Sequence, residues 1–395
     1  MSMVQSSQGE RSKPVNPTGS QGNGVAALIK GKDERMGILS KTPLVLETPH
    51  SLLAGQTITP KPVLYVRNVQ DLSEGLTLEP IPLEGWDFEL GGLIDEPVTI
   101  LGEELLGMEQ VEYELVLQCS GNSRSNFSGA SPIPGTAWGQ GGVGNVRFSG
   151  PRLSDVLKKH NVKISREAKF LTAEGKDLPL GLEKPDFEHS LPLADALEKS
   201  ILALKLNGEV LPGVHGGPVR LVTPGFYATM NVKWLRRLRF ESGESTNFYH
   251  ATEYRVPKTL FKPGEKFRFN LENSIPTWKI RLMSFIFSPE PMAVLRAGAL
   301  TSSGVAFNDG AARLESLLVS FDRGQSWRQA ELQAPQSPYA WYPWTIQEKL
   351  APGTYEVWSR AVDALGRSQP LDGSIYWNPN GYEWNGVHKI GVTVN

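Results

Sequence analysis

Two hydrophobic patterns divide the chain near residue 255. Before that point, short apolar or alternating stretches bounded by Gly, Pro and Asn predict strands at 42–49, 62–68, 86–92, 111–119, 146–150, 169–175, 202–208 and 217–225. Two windows change to a helical period. In PRLSDVLKKHN (151–161), Pro151 opens the helix and Leu153, Val156 and Leu157 share a face; PLADALEKS (192–200) reads as a second short helix. After YRVPKTLFKPGEKF (254–267) almost only short strands remain. SLLVSFDRGQSWRQAEL (316–332) alternates around an Asp-Arg-Gly turn signal, and GTYEVWSRAVDALG (353–366) and GVHKIGVTVN (386–395) continue an all-β pattern. Turns every 8–12 residues or so suggest an immunoglobulin-like β-sandwich.

The pattern predicts an α+β fold of two domains after a tail. Residues 1–35, Ser/Gly/Gln/Pro-rich as far as about Lys32, are expected to be disordered. A mixed domain should occupy 36–255 and a sandwich 256–395. The length of 395 residues fits two cores better than one.

Charge narrows the function. Forty Lys and Arg oppose 42 Asp and Glu, for a net charge of −2. Nothing in that balance drives binding to nucleic acid or anionic membranes, and no apolar run is long enough to span a bilayer. No secretory signal is present, so a cytoplasmic location is expected, or a periplasmic one if the chain is a processed form. A single cysteine excludes internal disulfides, a multi-cysteine zinc site and a CxxCH haem attachment.

That cysteine, Cys119, lies in LVLQCSGNSRSNFSG (115–129), where an apolar run gives way to small polar residues. Three readings are open. It is a small buried hydrophobe, or a nucleophile served by one of His50, His160, His189, His215, His250 or His388, or a metal thiolate. The polar run after it places the sulfur at an open rim, and Arg124 adds charge that favours thiolate over thiol. A single thiolate holds a metal only if a cofactor brings further ligands.

QCSGN (118–122) resembles the molybdenum-ligand motif of the sulfite oxidase family. LYVRNV (64–69) resembles that family's arginine loop, NGEVLPGVHGGPVRLVTPGF (207–226) its cofactor-binding signature, and NVKWLRRLRF (231–240) its VKWL segment. The order is kept over nearly all of 40–395. The resemblance implies a mixed molybdopterin-binding domain followed by an Ig-like dimerisation domain. It also implies a molybdenum–molybdopterin cofactor, a homodimer, and oxidation of sulfite to sulfate with electrons passed to an external acceptor such as cytochrome c.

By resemblance, Cys119 is the metal ligand and Arg67 the active-site arginine. Tyr254 is the active-site tyrosine, with Tyr249 a nearby competitor. Tyr65, Asn68, Val69, Asp177, His215, Arg220, Asn231, Val232 and Lys233 join Arg67 and Cys119 around the cofactor. Asn231 stands where the family often has histidine and is expected to donate a hydrogen bond there. Three positions depart from the animal enzymes: Val69 replaces a histidine, and Met230 and Tyr342 replace arginines, which implies a less positive anion pocket. RRLR (236–239) reads as a solvated strand face rather than a docking patch for an electron acceptor. Two alternatives stand beside the oxidase reading: the same fold acting on another small oxyanion or a sulfoxide, and a non-enzymatic Ig-like binding protein.

Overall fold

The structure is a computed structural model that describes residues 24–70, 77–129, 131–177 and 185–395. Most of the expected tail lies outside these residues. Residues 24–35, however, are folded, contrary to the expected disorder. Val25 and Ile29 pack with Leu44, Leu46, Val66 and Val214 around a short helix, Val25–Leu28. The i, i+4 spacing of Val25 and Ile29 forms an apolar face that the polar composition of the preceding stretch masks.

The first domain is built on small sheets. A five-stranded mixed sheet runs in the order Val98–Leu101, Asp87–Gly92, Leu235–Glu241, Phe170–Gly175, Glu188–Pro192. Leu235–Glu241 pairs parallel to Asp87–Gly92 and antiparallel to Phe170–Gly175. Phe88, Leu90, Leu171, Ala173, Leu238 and Phe240 face one core. The two expected helices, Leu153–Lys159 and Leu193–Lys199, cover it with Leu153, Val156, Leu157, Leu193 and Ala196. Arg236, Arg237 and Arg239 of RRLR lie away from that core, while Leu238 is in it. There Arg236 and Arg239 pair with Glu174, Arg237 with Glu89, and Arg239 also with Glu188 at 2.7 Å. Carboxylates neutralise this basic run, as a solvated face requires.

A second sheet carries the cysteine. Val111–Gln118 pairs along its whole length with Val143–Gly150, from Val111 opposite Gly150 to Gln118 opposite Val143. The arginine loop ends a three-stranded sheet in which Val45 faces Arg67 and Leu46 faces Val66.

The C-terminal part is a sandwich of a four-stranded and a five-stranded sheet, with Leu317, Val319, Ala306, Trp344, Val357 and Ile390 between them. Expected strands at 316–320, 353–363 and 388–394 are present. The strand Arg255–Pro257, paired with Ser274–Pro276, spans the expected boundary. One apolar cluster joins the two parts, with Leu53, Val116, Val143 and Tyr227 packed on Phe285, Phe287, Phe307 and Trp341. Among the described residues no helix is long and apolar enough to cross a membrane.

Four histidines are buried and His50 is half-buried. His50, His189, His215, His250 and His388 are all held below the ordinary imidazole range, chiefly because burial disfavours the charged ring. The folded state therefore binds fewer protons than the unfolded chain just below the ordinary histidine pKa of about 6.5. The stability these neutral rings contribute is complete above that value and is lost as pH falls below it. Thermal midpoints should be level from about pH 7 to 9 and fall steeply from about pH 6.5 downward. A midpoint insensitive to pH between about 5 and 7 would contradict this.

Candidate active site

Cys119 follows the last residue of its strand. Its N–H donates to the Gly142 carbonyl at 2.9 Å, and its carbonyl accepts from Asn122 N–H at 2.9 Å. The chain turns sharply there and presents the side chain to a cavity of about 670 Å³ of empty space. The cavity is lined by Tyr65, Arg67, Asn68, Val69, Cys119, Asp177, His215, Arg220, Asn231, Lys233 and Tyr254. The cysteine strand, the arginine loop and the 207–226 signature thus converge although they are far apart in sequence.

The cysteine is buried rather than set at an open rim, only 4% exposed. Ser120, Gly121, Asn122 and Ser123 are buried too. Their polarity serves internal bonds. Asn122 Oδ1 accepts from Gly142 N–H at 2.9 Å, and the Ser120 hydroxyl shares a bond with Thr229. The charge expectation also needs correction. Burial pushes the thiol up, and the opposing pull comes first from Arg67 and only later from Arg124. No histidine is among the groups acting on it. Of the six histidines, His215 is the one lining this cavity among the described residues, and its Nε2 is occupied by Lys32 at 3.1 Å.

Arg67 reaches between its own loop and the far wall. It donates to the Asn68 carbonyl and, through Nη2, to the Tyr254 hydroxyl at 3.4 Å. Burial pulls its pKa down, but the Tyr254, Cys119 and Tyr382 sites raise it overall. Tyr254 is buried, stacked on Tyr382 at 5.0 Å and edge-on to His189 at 5.2 Å. Burial pushes its phenol up to about 12, against the pull of Arg67. Its competitor Tyr249 accepts from Gln70 at 3.4 Å instead.

The remaining predicted residues divide. Arg220 is buried, with Nε on the Asn231 carbonyl and Nη1 on the His215 carbonyl, both at 2.9 Å. Burial lowers its pKa to about 10. Lys233 donates to Asn68 Oδ1 and to the Val214 carbonyl. Asn231 lines the cavity, with its amide oxygen and one amide hydrogen bonded within the 223–231 stretch. Its Oδ1 accepts from Thr223 N–H at 2.6 Å, and its Nδ2 donates to Phe226 at 3.4 Å. Val232 does not line the cavity; its side chain sits in the core with Leu221 and Phe226.

Two of the three departures lie elsewhere. Met230 is fully buried in that same core. Tyr342 lies in the sandwich core beside Trp344 and Ala306. Neither position charges the cavity. Val69 does line it. Two second-domain residues, Asn380 and Tyr382, reach the outer side of the site. With Arg124, Tyr249, Phe248 and Glu253 they line an outer recess. Arg67, Val69 and Tyr254 border both spaces. Arg124 lies over the Tyr382 ring at 4.8 Å. Sequence reasoning missed Tyr382, Thr229, Phe187 and Trp234 as lining residues.

Three observations test whether a molybdenum–pterin group fits. Among the described residues no cluster of three His, Cys, Asp or Glu side chains exists, so a metal on Cys119 needs ligands from a cofactor. Arg220 and Lys32 are buried cations bonded to carbonyls and an imidazole, with no carboxylate acting on either. An anionic group would offset that charge. The buried Tyr65 hydroxyl, Asn68 Nδ2 and Gln70 Oε1 find no partner among the described residues and face the same space. The residues fit the group.

Family models agree with this geometry. Residues 77–249 match the oxidoreductase molybdopterin binding domain, and 274–395 match the molybdenum-cofactor oxidoreductase dimerisation domain. Together the two models span most of the chain, which has the two-domain organisation of the molybdopterin-binding oxidoreductases. The chain is 32% identical over 374 residues to a mitochondrial sulfite oxidase of Drosophila melanogaster, covering 90% of this chain and 62% of that protein. A nitrate reductase [NAD(P)H] of Hordeum vulgare is 29% identical, covering 93% of this chain and 43% of its own length. The crystal structure of the sulfane dehydrogenase SoxCD from Paracoccus pantotrophus superposes with a TM-score of 0.74 at 25% identity, over 96% of this chain and 92% of that one. The chain thus spans less than two thirds of the sulfite oxidases it matches. The matched molybdopterin-binding domain implies a molybdenum–molybdopterin cofactor.

Proposed function

We propose that the protein oxidises sulfite to sulfate, with water supplying the oxygen atom and two electrons and two protons leaving to external acceptors. The observation that carries this reading is the junction of the two cavities, where the Arg67 guanidinium and the Tyr254 hydroxyl stand at the entrance to the Cys119 chamber. When bound, the cofactor supplies a two-electron metal centre that exchanges an oxygen atom with the substrate. Cys119 would anchor it with one soft sulfur, Arg220 and Lys233 would supply positive charge, and the neutral His215 a hydrogen-bonding ring nitrogen, for its anionic and polar edges.

Arg67 binds the substrate oxyanion and orients it toward that centre. Arg124 adds a second guanidinium at the wall of the recess. Two cations there offset the missing charge that Val69 represents. Tyr254, protonated throughout the neutral range, donates a hydrogen bond without titrating. The dimerisation domain supports a homodimer, which light scattering on the purified protein tests.

Tyr254→Phe keeps the stack on Tyr382 and removes only the hydroxyl. Sulfite kcat/KM should fall about 10- to 100-fold, the loss of one charge-assisted hydrogen bond. Because the phenol titrates far above neutrality, the same factor should hold across about pH 6 to 9. A deficit confined to one limb of the pH profile would contradict the donor role.

A further inference from the structure

Lys32 lies in a segment that the polar composition of the chain's start concealed, and its ammonium group is buried. Its three bonds go to the Lys61 carbonyl at 2.7 Å, the Leu64 carbonyl at 2.5 Å and His215 Nε2 at 3.1 Å. The two carbonyls begin and end the turn that leads into Tyr65, Arg67 and Asn68, all cavity-lining residues. The third bond reaches the one histidine of that cavity. A lysine ammonium has three donors and no acceptor. With two N–H groups on carbonyls, the third donates to Nε2. His215 then carries its proton on Nδ1, the ring nitrogen left for the cavity it lines. Burial and the charges of Lys32, Lys233 and Arg220 lower the pKa of His215, so the neutral ring carries a single proton.

We propose that Lys32 is a positioning residue that fixes His215 as the Nδ1–H tautomer and so makes it a hydrogen-bond donor to the molybdopterin. The proposal rests on the cofactor reading above and extends it to a residue outside the matched molybdopterin-binding segment. Burial and the charge of Lys233 lower the Lys32 pKa, and two carbonyl dipoles aimed at Nζ, with an anionic group beyond His215, would oppose that in the loaded protein. The opposite arrangement, a neutral amine accepting from Nε2–H, would turn His215 into an acceptor facing an anion. The same three bonds tie the 24–36 segment to the turn before the arginine loop and to the 207–226 signature.

The test is the ¹⁵N spectrum of histidine-labelled, full-length protein as purified, with molybdenum and pterin quantified in the same sample. Six histidines are present, and His215→Asn assigns the signal by its loss. Wild-type His215 is expected with a protonated Nδ1 and a bare Nε2. A proton on Nε2 overturns the proposal whatever the variants do. Lys32→Met, of similar length and without donors, should mix the tautomers and speed release of pterin on dilution about 10- to 100-fold, as for other supports of a ligating histidine. In His215→Asn, the amide nitrogen replaces Nδ1–H and no longer depends on Lys32. Adding Lys32→Met to that background should then change release by less than about twofold. Fully additive effects would overturn the proposal and leave Lys32 as packing. Protein purified without molybdenum or pterin would sink the cofactor reading, while the spectrum still decides the tautomer of His215.

Discussion

Cys119→Ser is expected to fold, to melt close to the wild type, and to lose turnover by more than about a thousandfold, equivalent to ~4 kcal/mol of transition-state stabilisation. The fold should tolerate the change because the turn at this position is held by backbone bonds to Gly142 and Asn122 rather than by the sulfur. The chemistry should not tolerate it. A serine hydroxyl is a hard ligand that stays protonated in a buried site, whereas a thiolate is soft and electron-rich. The wild-type thiol is pushed up by burial, so binding the metal must displace a proton there. Cofactor loading should therefore strengthen as pH rises toward the thiol pKa, and Cys119→Ser should lose that dependence. Turnover, metal content and a thermal melt together check the expectation. A serine variant with wild-type activity would return Cys119 to the role of a small buried hydrophobe.

Arg67→Met should leave the cofactor in place and lower sulfite kcat/KM about 100- to 1,000-fold, the usual effect of removing one donor to a reacting oxyanion. Most of the loss should appear in KM, because the guanidinium binds the substrate anion before reaction as well as during it. The argument is geometric. Arg67 borders both the Cys119 chamber and the outer recess, and it bonds Tyr254 across the passage. Arg124 is farther out, held by the Thr136 and Gly381 carbonyls. Its own removal should therefore matter less. Unchanged kcat/KM in Arg67→Met, with metal content intact, would make Arg67 a brace for Tyr254 and Asn68 only.

What could be read in the chain follows from how local the signal is. Cys119, Arg67, His215, Arg220 and Lys233 lie in contiguous motifs, and the fold brings all five to one cavity. The two helices and most strands follow from periodicity that survives folding. The misplacements come from tertiary packing. Tyr342 starts the strand Tyr342–Leu350, whose alternation turns it into the sandwich core. Tyr382 lies in an irregular run before His388–Val394, where no period announces which side chain reaches the other domain. Val232 lies between two cavity residues and points to the other side, into the core. The polar run after Cys119 suggests exposure because small polar residues usually are exposed, yet here Asn122 satisfies the buried Gly142 N–H and Ser120 bonds the Thr229 hydroxyl. Lys32 was hidden by averaging over a polar segment; only the contact between Nζ and His215 reveals it.

The most direct test of the central claim is sulfite-dependent reduction of ferricyanide by purified protein whose molybdenum and pterin content has been measured. The account predicts about one molybdenum per chain and turnover that saturates with sulfite, because Arg67 offers a single anion site at the junction of the two cavities. A protein fully loaded with molybdenum and pterin that does not oxidise sulfite, yet turns over nitrate or a sulfoxide, would contradict it.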